Sequence, residues 1–365
     1  MRLNVPSTGA EELEAVRRVL DSGYLTQGPR AAEFETGIQR VTTTDFAYAV
    51  SSATTGLHLT LVALGLEAGD EVLMPAFSFP ATANAVAQQG GVPVFVDILP
   101  DTFNIDPALI EAGITTRTKA IMPVHAFGLT ADMDPIIRIA QSHELPVIED
   151  AACALGATYH GRPAGSLATA GVFSFHPRKI ITTGEGGMIT TNNAELAQRL
   201  QVLRAHGAVR EELFMEFVDV GFNYRMSDVH AAIGIAQLTK LDWIISQRRR
   251  LATMLSERVS AIPGVQPPVT PQGLEHSFQS YVVTLDPAID RDAVIRRMRE
   301  HGVETTLGTY GMHLQPVFVE RYGDQAAKLP NATRAHAQAL TLPLYPQLTA
   351  EDLDTITSAL ASSIT

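Results

Sequence analysis

The chemistry open to this sequence centres on Lys179, an amine predicted to lie on a short turn. The chain contains only four lysines, Lys119, Lys179, Lys240 and Lys328. The apolar run Gly171–Phe175 predicts a strand, which ends at a His-Pro-Arg-Lys segment because proline cannot donate a hydrogen bond to a sheet. The glycine-rich segment 184–187 leads into a second strand, Met188–Thr191. We therefore expect Lys179 beside a sheet, among glycines and hydroxyl groups.

The second candidate is the carboxylate of Asp150, at the end of a predicted strand, Pro146–Asp150. In parallel α/β sheets, the carboxyl ends of the strands face the crevice where ligands bind. Pyridoxal phosphate needs a lysine for its Schiff base and an acidic partner that keeps its pyridine nitrogen protonated. Each residue alone also fits a structural role, but the pair indicates this cofactor.

Three more segments could hold the phosphate and the ring of such a cofactor. The hydroxyl-rich segment 51–56 joins a strand to a helix, and backbone N–H groups at a helix start bind phosphate well. Ordinary N-capping would use the same hydroxyls. Ser174 precedes Lys179 on the predicted strand and could donate to the same phosphate. The segment 75–82 offers aromatic rings for stacking, although core packing is the usual fate of such residues.

Composition excludes several other classes of function. The 365 residues are 45% hydrophobic and 18% charged, as in ordinary globular proteins, and the net charge of −12 argues against binding to nucleic acid or membrane surfaces. The single cysteine, Cys153, excludes an internal disulfide and fits a reducing compartment. With no apolar signal core and no membrane-length apolar run, we expect a cytoplasmic protein. The eleven histidines lack paired metal-ligand spacing, so no metal site is expected.

Strand and helix patterns alternate from residue 45 to residue 150, which predicts an α/β protein with a mostly parallel sheet between helices. The predicted elements are strands at Phe46–Val50, Glu71–Met74, Val92–Val96, Ala120–Val124 and Pro146–Asp150, and helices at Thr55–Leu64, Thr82–Gln89, near Pro107–Ala112 and near Met133–Ser142. A loop is expected at 24–29, after an N-terminal amphipathic helix.

The C-terminal part of the chain follows a different order. Ser227 is typical of an N-cap for a long helical region that extends from Asp228 to about Ser260. The arginine run 248–250 within it is interpreted as a solvated helix face. The proline-rich segment Pro263–Pro271 predicts a domain boundary, with a large α/β domain at 1–262 and a smaller α+β domain at 263–365.

These motifs together identify a family. The chain resembles the DegT-type sugar aminotransferases, which belong to the fold-type I pyridoxal phosphate enzymes. The resemblance extends over almost the whole length, through the segments SSATTGLHL, PAFSFPATANAV, PVFVDI, KAIMPVHAFG, PVIEDAA, GVFSFHPRK, TTGEGGMITT, GFNYRMSDVHAAIG and LPLYP. SSATTG and FSFH are most similar to enzymes that make 4-amino sugars, such as the 4-amino-arabinose aminotransferase.

The resemblance implies roles for individual residues. It implies Lys179 as the Schiff-base lysine and proton shuttle, and Asp150 on the pyridine nitrogen. It further implies phosphate contacts and ring stacking from residues of the other segments, namely Ala53, Thr54 and Ser174 on the phosphate and Phe79 on one face of the ring. Members of the family form homodimers with shared active sites, and Asn223, in GFNYR, is expected to reach the phosphate of the partner subunit.

One position departs from the family pattern, because Cys153 stands where a histidine or glutamine usually lies on the other face of the cofactor. We interpret the thiol as a filler at the cofactor site; a catalytic thiol is the alternative, but no base is evident beside it. The expected reaction moves an amino group from an amino acid, with L-glutamate as the expected donor, to a keto sugar, most simply a nucleoside-diphosphate-linked 4-keto-6-deoxy sugar. The alternatives are a sugar dehydratase, whose relatives have histidine at the lysine position, and an aminotransferase for a keto cyclitol.

Overall fold

Seven strands form the main sheet of the computed structural model, which describes residues 1–364. In chain order they are β1 (Phe46–Val50), β2 (Glu71–Pro75), β3 (Val92–Val96), β4 (Thr118–Ile121), β5 (Ile148–Asp150), β6 (Ala170–Ser174) and β7 (Gly187–Thr191). The spatial order is β1-β7-β6-β5 followed by β4-β2-β3, and parallel bridges such as Ile121 to Val147 join the two parts. All neighbouring strands are parallel except for β7, which is antiparallel to both of its neighbours. The predicted α/β class with a mostly parallel mixed sheet is confirmed.

Helices cover this sheet, and the alternation of side chains along each strand explains why. On β6, Val172 is buried in the core that contains Leu57 of the helix Ala53–Ala63, whereas Phe173 is buried in the core that contains Phe34. The helices of the structure are Ala10–Ser22, Pro29–Thr42, Ala53–Ala63, Ala81–Ala87, Met133–Ser142, Ala194–Leu203, Asp228–Leu238, Leu241–Val259, Arg291–Glu300, Pro316–Tyr322, Pro330–Gln338 and Ala350–Ile364.

Two local predictions differ from the structure. The helix expected near Pro107–Ala112 is a pair of 3-10 turns, Pro107–Leu109 and Glu111–Gly113, which end at a glycine that disfavours a longer helix. The helix Pro29–Thr42 was not anticipated after the loop. Proline occupies its first turn, where the missing N–H costs nothing, and Ala31, Phe34 and Ile38 bury one face.

A second, antiparallel sheet lies in the C-terminal part. Its strands are, in spatial order, Val265–Gln266, Tyr281–Leu285, Ala339–Leu342 and Thr306–Leu307. The end of the helix Leu241–Val259 packs against this sheet through Leu251 and Leu255, whereas Leu241 and Ile244 belong to a core beside the main sheet. One helix therefore connects the two sheets. Shorter paired strands lie at Phe77–Ser78 with Tyr310–Gly311, at Thr158–Tyr159 with Arg162–Pro163 and Leu274–Glu275, and at Ala208–Arg210 with Met215–Phe217.

The interpretation of the arginine run as a solvated face is wrong. Arg248 is buried, with a relative exposure of 2%, Arg249 is partly buried and only Arg250 is exposed. Consecutive helical residues are rotated by about 100° from one another, so a run of three cannot share one face. None of the helices within residues 1–364 is long and apolar enough to cross a membrane.

Candidate active site

Lys179 lies on the loop that joins β6 to β7. The loop is closed at its base by two backbone hydrogen bonds, from Phe175 N–H to Gly186 (2.9 Å) and from Thr183 N–H to Phe175 (2.9 Å). Within it, the Lys179 N–H donates to the carbonyl of His176 at 2.8 Å. The half-buried ammonium donates to Cys153 Sγ at 3.0 Å. In the described part of the chain no carboxylate lies within 4.0 Å of this nitrogen, so the amine is not held in an ion pair.

Asp150 ends β5 and is almost completely buried, with a relative exposure of 4%. One oxygen accepts the hydroxyl of Thr82 at 2.7 Å, and the other accepts the N–H of Ala152 at 3.2 Å. Burial raises the pKa of Asp150, although these hydrogen bonds and the nearby charge of Lys179 oppose the rise. A cation placed against this carboxylate would favour the ionised form of Asp150. The ionised carboxylate would in turn stabilise a protonated pyridine nitrogen.

The start of the helix Ala53–Ala63 reaches the same edge of the sheet. Its N-cap, Ser52, accepts from Thr55 N–H at 3.1 Å. The N–H groups of Ala53 and Thr54 donate to no acceptor in the part of the chain that the structure describes. Such free N–H groups at a helix start bind anions.

Strand register brings Ser174 to this helix start. Gly187 lies opposite both Ser174 on β6 and Val50 on β1, the residue that precedes the segment 51–56. A Cβ atom at Gly187 would lie 2.5 Å from the backbone of Ser52, so only glycine permits this close approach. The Ser174 hydroxyl oxygen accepts one long hydrogen bond, from His176 N–H at 3.4 Å, and its proton is free to donate.

Phe79 and Asn223 are surface residues of the single chain. The ring of Phe79 is 64% exposed and packs edge-on to the ring of Tyr310, at 6.3 Å between ring centroids, so it is not a core residue. Asn223 is exposed and accepts from Arg225 Nε at 3.2 Å. It adjoins Tyr224, whose carbonyl accepts the N–H of Ser51 at 2.8 Å. Both residues are therefore available to a ligand or to a second chain.

Two side chains that the sequence did not indicate also lie at this site. Thr82 binds Asp150, and Ser78 Oγ lies 2.9 Å from the Thr82 hydroxyl. Both belong to the segment 75–82, which drew attention through its aromatic residues. No periodic pattern in the sequence marks this pair, because Ser78 ends the short strand Phe77–Ser78 and Thr82 lies in the first turn of the helix Ala81–Ala87.

The arrangement fits pyridoxal phosphate. It provides an amine without an ion pair, a buried carboxylate that a ring cation would complement, and free N–H and hydroxyl donors for a phosphate. These groups come from β5, β6, the β6–β7 loop and the start of the helix Ala53–Ala63, and all lie at one edge of the sheet. When bound, this cofactor acts as an electron sink for the carbon that loses or gains a proton.

Comparison with known proteins identifies the family. A model of the DegT/DnrJ/EryC1/StrS aminotransferase family matches residues 6–361. The chain belongs to this family.

Individual relatives agree over nearly their full lengths. The spore coat polysaccharide biosynthesis protein SpsC of Bacillus subtilis is 36% identical, with 98% of this chain and 95% of SpsC covered. PseC of Helicobacter pylori, an aminotransferase involved in the biosynthesis of pseudoaminic acid, is 28% identical with a TM-score of 0.94, and 99% of this chain and 98% of PseC are covered. The PLP form of Spr1654 from Streptococcus pneumoniae is 27% identical with a TM-score of 0.95, and 100% of this chain and 98% of that structure are covered. The protein is therefore a sugar aminotransferase that uses pyridoxal phosphate.

Proposed function

We propose that this enzyme transfers an amino group from L-glutamate to a keto sugar carried on a nucleoside diphosphate, most simply a 4-keto-6-deoxy sugar. The observation that carries the proposal is the Lys179 amine, free of any carboxylate in the described chain, at the same sheet edge as buried Asp150. The similarity to SpsC and PseC supports a sugar as acceptor, since the first takes part in polysaccharide biosynthesis and the second in that of pseudoaminic acid.

Lys179 moves the protons in both halves of the reaction. Its Nζ takes the α-proton of the amino acid donor in the first half and returns a proton to the sugar carbon that is aminated in the second. Asp150, kept ionised by the ring cation, would hold the proton on the pyridine nitrogen, and the free N–H groups of Ala53 and Thr54 and the hydroxyl of Ser174 would bind the phosphate. Phe79 would stack on the ring of the cofactor, and Cys153, which contacts the Lys179 amine at 3.0 Å, would line the same site.

Replacement of Lys179 by alanine tests the central assignment. We expect Lys179→Ala to abolish transamination and the absorbance band of the lysine-bound cofactor, because no other amine lies at this site, while the protein still folds. Lys328→Ala is the matched control, since this lysine is exposed and a surface substitution changes stability by about 0.5 kcal/mol or less. Residual turnover of the Lys179→Ala enzyme, with the control at full activity, would contradict the assignment.

The acceptor is tested with a panel of keto sugars. Nucleoside-diphosphate 4-keto-6-deoxy sugars, free keto sugars and a keto cyclitol are each incubated with L-glutamate, and the amine product is detected by mass spectrometry. Amination of the nucleotide-linked sugars alone supports the proposal. Preference for the cyclitol, or loss of water from the sugar without amination, would replace it with one of the alternatives.

We also propose a homodimer with shared active sites. The hairpin that contains Ala208–Arg210 and Met215–Phe217 carries large apolar side chains that are 55–88% exposed in the single chain, namely Leu213, Phe214, Met215, Phe217, Val218 and Val220. Such a concentration of exposed apolar surface is typical of a protein interface. Asn223 follows this hairpin in the chain, which supports its proposed role at the phosphate of the partner subunit.

Subunit exchange tests the shared site. Asn223→Asp should bind the cofactor poorly, because a carboxylate repels phosphate, and Lys179→Ala should be inactive for a different reason. When the two inactive proteins are refolded together, a two-fold symmetric mixed dimer has one site with both changes and one site with neither. Random pairing makes about a quarter of all sites wild-type in composition, so activity should reappear up to about that fraction. If confirmed mixed dimers show no activity, Asn223 serves its own chain.

A further inference from the structure

Arg248 is a buried cation that the reaction described above does not use. Its exposure is 2%, and burial without a carboxylate partner lowers the pKa of this guanidinium to about 10. Nη1 donates to three backbone carbonyls, those of Phe278 (3.0 Å), Gln279 (3.2 Å) and Leu344 (3.0 Å). Nε has no partner among residues 1–364. A buried charge of this kind is costly, and an apolar residue of the same size would often be more stable there.

The contacts of Arg248 continue to the loop that carries Lys179 by two routes. In the first, Arg248 Nη2 donates to Asn4 Oδ1 at 2.8 Å, and Asn4 Nδ2 donates to the carbonyl of Pro177 at 2.9 Å. In the second, Nη1 holds the carbonyl of Gln279, and Gln279 Nε2 donates to the carbonyl of Arg178 at 2.8 Å. The two receiving carbonyls are the last two before Lys179.

The two routes join parts of the chain that are far apart in sequence. Asn4 belongs to the N-terminal segment, Gln279 precedes the strand Tyr281–Leu285, and Arg248 lies on the helix that connects the two sheets. A loop fixed only by the bonds at its base could still rotate at its tip. Two side-chain amides on successive carbonyls restrict that rotation directly before the lysine.

We propose that Arg248 is a positioning residue for Lys179, which it holds through Asn4 and Gln279 by their hydrogen bonds to the Pro177 and Arg178 carbonyls. This inference rests on the proposed role of Lys179. It makes the geometry of the amine depend on the junction of the N-terminal segment with the C-terminal sheet, and not only on the loop itself.

Two single-group exchanges separate positioning from stability. In Asn4→Asp the side chain still accepts from Arg248, now as a carboxylate, but it can no longer donate to Pro177. Gln279→Glu removes the donor to Arg178 in the same way and leaves the backbone carbonyl of residue 279 in place for Arg248. The first exchange supplies the anion that the guanidinium lacks, so the thermal midpoint should stay equal or rise.

The readout is amide hydrogen exchange of the four N–H groups within residues 176–180, since Pro177 has none, measured with the cofactor bound and compared with the rest of the chain. We expect the Lys179 amide to exchange about fivefold or more faster in each variant, and kcat to fall about tenfold, since small displacements of a reacting group carry penalties of this size. Arg248→Lys should loosen the same loop, because one ammonium cannot reach both routes. Arg291→Lys is the matched control: this buried arginine also donates to carbonyls, those of His336 and Ala339, but has no route to the loop.

The exchange measurements separately test the two amide contacts and the role of Arg248. Unchanged exchange of residues 176–180 in both Asn4→Asp and Gln279→Glu would overturn the inference, even if Arg248→Lys does not fold. Loosening in the two amide variants but not in a folded Arg248→Lys would overturn the role of Arg248 itself. Failure of the proposed function is seen separately, as activity that survives Lys179→Ala.

Discussion

Two adjacent carboxylates on β5, Glu149 and Asp150, are both buried but receive different numbers of hydrogen bonds from the chain. Neighbouring residues of a strand point to opposite faces, so the two side chains meet different surroundings. Glu149 receives four donors, the N–H groups of Gly165 (2.7 Å), Leu167 (2.8 Å) and Ala168 (3.0 Å) and the ring of His125 (2.9 Å). A carboxylate offers about four acceptor positions, so Glu149 is saturated by its own chain.

Within residues 1–364, Asp150 receives two donors, the Thr82 hydroxyl and a long contact from Ala152 N–H. Its remaining acceptor positions are available to a ligand. Burial alone therefore does not distinguish a structural carboxylate from one that binds a ligand. The number of hydrogen bonds that the chain itself supplies differs between the two acids and supports the proposed role of Asp150, because an unsatisfied buried carboxylate is costly unless a ligand completes it.

Asp150→Asn should have the largest effect on activity of the substitutions at these two acids. We expect a loss of activity of about 100-fold or more with cofactor still bound, since an amide cannot hold the pyridine proton by charge. Turnover with glutamate and the preferred keto sugar gives the measurement. Near-normal rates would return Asp150 to a structural role.

Asp150→Asn should also change how the free energy of unfolding depends on pH. Because burial raises the pKa of Asp150, the folded cofactor-free protein binds this proton more tightly than the unfolded chain does. Its free energy of unfolding therefore falls as the pH rises from the ordinary aspartate pKa of about 3.9 to the raised value. Asp150→Asn removes that loss, so the cofactor-free variant should be at least as stable as the parent at neutral pH in urea titrations.

Glu149→Gln should show the opposite pattern. The amide turns an NH2 group toward N–H donors, and buried donors left without an acceptor cost about 1–3 kcal/mol each. We expect the free energy of unfolding to fall by about 3 kcal/mol, whereas kcat of the folded enzyme stays within about twofold. A stable but inactive Glu149→Gln enzyme would reverse the assignment of the two acids.

The smallest effect on activity is expected for Cys153→Ala, which removes the thiol beside Lys179. The thiol is a weak hydrogen-bond partner of the Lys179 ammonium, so its loss should leave activity within about threefold of the parent. Steady-state kinetics with both substrates gives the value. A loss that approaches that of Lys179→Ala would show that the thiol takes part in catalysis.

Local sequence patterns alone indicated pyridoxal phosphate as the cofactor and predicted the order of the strands along the chain. Lys179 is one of four lysines and lies on a predicted turn, and Asp150 ends a predicted strand. Turns and strand ends are local patterns that the sequence shows directly. The strands β1 and β3 and the helix Met133–Ser142 were predicted with the bounds they have, since burial periodicity is also local.

Only the tertiary structure decided which of two adjacent acids is saturated, that Thr82 binds Asp150, and that Arg248 is buried rather than solvated. Each of these facts depends on partners distant in the chain, such as Asn4 for Arg248. A carboxylate or a guanidinium has the same local pattern whether its donors and acceptors come from water or from a remote segment. The free energy of burial is set by those remote contacts, so the fold assigns the role that composition and spacing leave open.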